Sequence, residues 1–222
     1  MAFNPCRIET NQHQPHEDIP ALVARYQTHE NKRPYAQHTK DAIQLVLSWL
    51  DDWSGDVIID ACCGVGESTA ILAQQYPMAR VIGVDKSQAR LAKHAHYAPT
   101  QHDNYRIIQA DLHDFWRLLA SAKTNYAWNI SKQCLFYPNP YPKKTQVQKR
   151  WHASASFMPM LACSSNIELR SNWKIYVEEF QIALRLVNID SNIAPIPNTT
   201  AITPFERKYS LAGQQCWQLL TN

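Results

Sequence analysis

Val57-Ile58-Ile59-Asp60-Ala61-Cys62-Cys63-Gly64-Val65-Gly66 reads as a short buried strand that stops at an acid and runs into a turn with two glycines. β-branched residues in succession favour extended backbone, while glycines accept positive φ and let backbone amides approach a ligand closely. A helix is expected next over 67–76, closed by Pro77. Upstream, Ala42, Leu45, Val46, Trp49 and Leu50 recur at steps of three and four, which predicts an amphipathic helix over 37–53 stopped by Gly55. Downstream the alternation repeats as strand 80–84, helix 87–97, strand 105–109 and helix 112–120, then strands over 134–137 and 167–170, a helix over 173–186 and a last strand near 214–220. Residues 194–204 read as a Pro- and Thr-containing loop. Parallel neighbours need crossover connections, so this order predicts a single doubly wound α/β domain that binds its ligand at the carboxyl ends of the strands.

Composition sets the outer bounds. The 222 residues are 45% hydrophobic, enough for a full core, and 5 glycines and 13 prolines without a repeating period exclude collagen-like and low-complexity chains. The longest apolar runs fall far short of the roughly 20 residues of a membrane helix, and the first ten residues hold no apolar leader segment, so the cytoplasm is the expected compartment. Six cysteines without a CxxC pair read as reduced thiols, Cys6 among them, and nine histidines without HExxH spacing predict no metal site. The net charge of +3 is too small by itself to argue for nucleic acid. Residues 1–35 are polar without steady periodicity and read as an extension with at most a short helix over 19–26, leaving 36–222 as the domain.

The strand ends suggest a nucleotide-containing ligand. Gly64 and Gly66 follow Asp60, and Asp85 ends the second strand 19 residues beyond Gly66, where an acid accepts hydrogen bonds from ribose hydroxyls. The turn lacks a third glycine and carries Glu67 where a pyrophosphate would arrive, which disfavours a dinucleotide. An acid before the glycines suits a cationic ligand bearing an aminoacyl group, a description that S-adenosylmethionine fits. Asp111 adds an acid after the third strand, either beside an adenine amino group or as a helix N-cap. The three prolines of Pro138-Asn139-Pro140-Tyr141-Pro142 exclude helix and central strand, so this segment is expected as a shaped loop at the ligand end of the sheet.

Asp60 to Gly66, Ile82-Gly83-Val84-Asp85 and Phe136 to Lys144 together resemble the bacterial tRNA (guanine-N7-)-methyltransferase family, whose motif Pro-Asp-Pro-Trp-x-Lys precedes a basic stretch. Ser171-Asn172-Trp173 and Thr203-Pro204-Phe205-Glu206 continue the similarity, which spans about residues 55–220. The resemblance implies a Rossmann-like class I methyltransferase domain with a mostly parallel seven-stranded sheet, using S-adenosylmethionine to methylate a guanine of tRNA. Carried over by position, Asp60, Gly64, Gly66, Asp85 and Asp111 are expected at the cofactor, and Asn139 with Lys143 at the catalytic position. Lys143, Lys144, Lys149, Arg150, Asn172, Thr203, Phe205 and Glu206 are expected on the RNA. Cys62 stands where a glycine is usual, and Asn139 and Asn172 replace aspartates.

Lys143, Lys144, Lys149 and Arg150 place four positive charges within eight residues, with Trp151 beside them, a composition suited to phosphates and stacked bases or to a solvated loop with the indole turned inward. Two other readings stay open. Asn139-Pro140-Tyr141 is similar to the Asn-Pro-Pro-Tyr loop of amino-group methyltransferases acting on adenine or glutamine, and the loss of both aspartates fits a catalytically silent protein that binds RNA or the cofactor.

Overall fold

The computed structural model describes residues 8–98, 100, 102–122, 126–197 and 201–222. Cys6 and positions 198–200 of the expected loop lie outside the described residues. Two helices come first, α1 (Ile19–Thr28) and α2 (Gln37–Leu50), and then β1 (Asp56–Ala61), α3 (Glu67–Gln75) and β2 (Arg80–Asp85). Two single turns, α4 (Gln88–Leu91) and α5 (His94–Tyr97), lead to β3 (Tyr105–Gln109), α6 (Leu112–Ala122) and β4 (Asn129–Phe136). After two 3-10 turns the chain forms α7 (Phe157–Cys163), β5 (Ile167–Ser171), α8 (Lys174–Arg185), β6 (Ser191–Pro195), α9 (Pro204–Leu211) and β7 (Trp217–Thr221).

The strands make one seven-stranded sheet in the order β3-β2-β1-β4-β5-β7-β6. Pairing is parallel from β3 through β5 and antiparallel where β7 meets β5 and β6. The order reverses between β1 and β4, and the crevice outside the carboxyl ends of those two strands is the place where open α/β sheets bind ligands. Alternate residues of β1 feed two cores: Val57, Ile59 and Ala61 pack with α1, α2, α6, α7 and α8, while Ile58 packs with Ala70, Leu72 and Ala73 of α3. A sheet covered on both faces needs such continuous apolar strands, which is why the run Val57 to Ile59 was readable.

Several elements differ from the sequence expectation, β4 among them, which begins at Asn129 rather than near 134. The helix expected over 87–97 breaks into two turns where the His94 ring turns inward to bridge the Val65 carbonyl at 2.9 Å and the Tyr105 hydroxyl at 2.8 Å. The expected loop over 194–204 instead begins inside the edge strand β6 and ends at α9, whose first turn is capped by the Thr203 hydroxyl accepting the Glu206 N–H at 3.0 Å. Helix α7 lies in a stretch for which the sequence predicts no element. The N-terminal segment packs against the rest of the protein, with Ile19, Leu22 and Val23 in the main core.

Candidate active site

At the switch point the turn after β1 takes a left-handed path three times within five residues. Cys62, Gly64 and Gly66 have φ of 62°, 61° and 75°. Gly66 could not be another residue without rearrangement, because a Cβ there would sit 2.6 Å from His94 Nδ1 as well as at an unfavourable φ. Cys62 accepts the same conformation with a side chain, at a cost of about 1–2 kcal/mol. Burial pushes its thiol pKa up to about 12, so it stands protonated beside the crevice.

The acids hold this turn. Asp85, 2% exposed, accepts the Gly64 N–H on Oδ2 at 3.0 Å and the Ser87 N–H on Oδ1 at 2.8 Å, and Arg90 pairs with Oδ1 at 3.0 Å. Asp60 is fully buried at the end of β1, and its Oδ2 accepts from Ser68 Oγ at 2.7 Å and Thr69 Oγ1 at 2.6 Å. Its Oδ1 has no hydrogen-bond partner among the described residues, and burial raises its pKa to about 6 despite those two hydroxyls. An unsatisfied buried carboxylate oxygen is the feature an ammonium group would relieve. Asp111 serves as the cap that the sequence allowed, its Oδ1 accepting the His113 N–H at 2.9 Å, and it also lines the crevice.

The proline-rich loop forms the opposite wall. Tyr137 and Tyr141 both have positive φ, 52° and 45°, and Asn139 stands exposed between them with its Oδ1 accepting the Tyr141 N–H at 3.2 Å. Non-glycine residues in this region of φ are strained and cluster at functional sites. Asp85, Asp111, Asn139, Lys149 and Phe205 thus meet in one cleft, although they come from four separate parts of the chain. Cys62, Lys86, Arg90, His113 and Trp151 line it too. Of these, Lys86, Arg90 and His113 belong to no motif in the sequence. Trp151 is half-buried, edge-on to Trp116 at 5.0 Å, so one indole lines the cleft and joins the core.

Other expected site residues lie elsewhere. Lys143 and Lys144 are exposed and do not line the cleft, unlike Lys149, whose ammonium lies 5.7 Å from the Tyr141 ring. Asn172 donates to Gln214 at 3.1 Å. Thr203 and Glu206 are buried, the first capping α9 and the second receiving Arg170 at 3.1 Å, so neither faces solvent. Arg150 corrects the expectation of a phosphate contact. It has no exposed surface, and its guanidinium is bound at 2.6 Å to Glu179, also fully buried. No group of three or more His, Cys, Asp or Glu among the described residues could hold a metal, and no helix among them is long and apolar enough to cross a membrane.

A family model described as "Putative methyltransferase", Methyltransf_4, matches residues 54–219. The tRNA (guanine-N(7)-)-methyltransferase of Nitrosospira multiformis is 25% identical over 94% of this chain and 96% of its own length. A trans-aconitate 2-methyltransferase from Acidovorax sp. is 31% identical, but over only 45% of this chain and 34% of its own length. Among solved structures, the 16S rRNA methyltransferase KamB superposes with a TM-score of 0.57 at 14% identity, covering 86% of this chain and 97% of that one. The sheet is therefore shared with methyltransferases.

Proposed function

The chain belongs to the Methyltransf_4 family of S-adenosylmethionine-dependent methyltransferases, and from that premise we propose that it methylates N7 of a guanine in RNA, with tRNA as the substrate and the cytoplasm as the place of action. We assign the chemistry to residues 36–222, with 1–35 as an extension packed onto them. The observation that carries this reading is the two-sided cleft: Asp85 and Asp111 on one wall, Asn139 on the other, and exposed cations continuing from the Asn139 loop.

S-adenosylmethionine, when bound, supplies a methyl group activated by its sulfonium. In our reading Asp85 holds the ribose hydroxyls, Asp111 lies toward the adenine, and the free oxygen of Asp60 receives the ammonium. The bond formed is N7–CH3 and the bond broken is S–CH3. Guanine N7 attacks with a lone pair that carries no proton, so no side chain has to act as a base, and the product guanine carries the positive charge. The protein's contribution is then orientation. The Tyr141 N–H donates to Asn139 Oδ1 and holds this side chain on the loop wall of the cleft, beside the place the target base would take. Transfer of labelled methyl to unfractionated tRNA followed by nucleoside analysis tests the proposal. Any product other than 7-methylguanosine, or no product, refutes it.

Two predictions arise here. Asn139→Asp keeps the bond to the Tyr141 N–H and adds a charge near the developing guanine cation, so the single-turnover rate on tRNA is expected to rise about tenfold, corresponding to about 1.4 kcal/mol. A slower variant with normal cofactor affinity counts against the assignment. Replacing the exposed Lys143, Lys144 and Lys149 together by Ala is expected to flatten the log–log dependence of tRNA affinity on salt by about 2 to 3. An unchanged slope places the phosphates elsewhere.

A further inference from the structure

Arg150 ends a basic stretch yet reaches no solvent, and its bonds explain why. Nη1 donates to both Glu179 oxygens at 2.7 and 2.6 Å, and Nη2 donates to Gln12 Oε1 at 2.9 Å. The remaining donors turn to the loop: Nη2 to the Tyr141 carbonyl at 2.9 Å and the Lys143 carbonyl at 3.3 Å, and Nε to Tyr141 again at 3.2 Å. The N-terminal segment completes the grip. Thr10 Oγ1 donates to the Pro142 carbonyl at 2.6 Å, the Lys144 N–H donates to Asn11 Oδ1 at 3.3 Å, and Gln12 Nε2 donates to Glu179 Oε1 at 2.6 Å.

Tyr141, Pro142, Lys143 and Lys144 are thereby each held through the main chain, which leaves the lysine side chains in solvent. A loop with three prolines has few donors of its own, so its carbonyls need partners from outside. The geometry points to Gln12, Thr10 and Arg150 as positioning residues for the substrate loop: they fix Tyr141 in its left-handed conformation, and the Tyr141 N–H in turn fixes the Asn139 amide. The N-terminal segment is thus part of the machinery that presents the target base. This inference rests on the proposed role of the Asn139 loop.

Gln12→Met keeps the side-chain length and removes its hydrogen bonds, and Thr10→Val does the same for the hydroxyl. Hydrogen exchange and single-turnover methylation of unfractionated tRNA are measured on the full chain. In either variant the amides of Tyr141 and Lys144 are expected to exchange at least tenfold faster while those of β1 and β2 keep their rates. The methylation rate is expected to fall about tenfold with the dissociation constants for tRNA and S-adenosylmethionine within twofold of wild type. A general loss of stability would instead accelerate exchange throughout the sheet. Unchanged exchange at Tyr141 and Lys144 in both variants overturns the clamp, and faster exchange with an unchanged rate overturns its positioning role. Wild-type protein that methylates no tRNA refutes the substrate assignment, and the exchange result then decides the clamp alone.

Discussion

Asp85→Ala is expected to weaken S-adenosylmethionine binding about a hundredfold and to leave the protein folded. The carboxylate ends β2 with 2% of its surface exposed, already organised by the Gly64 and Ser87 amides and by Arg90. Its one remaining lone pair, on Oδ2, is left for a ribose hydroxyl, and the residue lines the cleft. One hydrogen bond to a charged acceptor, worth up to about 3 kcal/mol, amounts to about a hundredfold in Kd. The substitution also strips the Gly64 amide of its acceptor and loosens the glycine turn, which adds to the loss. Asp85→Asn separates the two contributions, since it keeps the shape and removes the charge. Titration calorimetry checks both variants, and an affinity equal to wild type in Asp85→Ala removes this residue from the cofactor site.

Glu179→Ala is the substitution with the largest expected effect on stability, about 3–5 kcal/mol, because it strands the fully buried Arg150 without its countercharge. Burial pushes the Glu179 carboxyl up, but the hydrogen bond and charge of His152, followed by those of Arg150, outweigh this and hold it at about 2. Burial lowers the His152 pKa, so at neutral pH the imidazole donates as a neutral group and Arg150 provides the charge. The sign of the pH dependence follows from the depressed acid. The Glu179 contribution is complete above the ordinary glutamate value of 4.5 and is lost progressively as pH falls toward 2. Urea unfolding between pH 6 and about 3 is the measurement. Glu179→Gln should flatten that part of the profile, and a wild-type profile with the same slope as Glu179→Gln would show that the carboxyl does not titrate as described.

The central sheet was legible because its strands are buried on both faces and so read as unbroken apolar runs, and because Asp60, Gly64, Gly66 and Asp85 sit where strand becomes turn. The antiparallel edge was harder. β6 is five residues long, mostly exposed and ends in Pro195, which resembles loop composition. The start of α9 was available in Thr203-Pro204, a cap followed by proline in the first turn, but the neighbouring prolines and threonines masked it. Charge alone could not separate Arg150 from Lys149. One is buried and the other exposed, and what distinguishes them is Glu179, 29 residues later in the chain. Gln12 gave no signal at all, since a single polar residue in a polar segment has no periodicity to betray its burial.

The bond between Gln12 and Glu179 joins residues 167 apart. During synthesis the first of them leaves the ribosome while the second, along with all of α8, has yet to be made. The strands of β1 to β3 and their crossovers can pair as they emerge, but the N-terminal segment has nothing to grip until most of the chain is out. Closing so long a loop is entropically costly and is postponed until other contacts have shortened it. The nascent chain therefore pairs β1 to β3 before the proline-rich loop gains the contacts that shape it, and those contacts wait on α8.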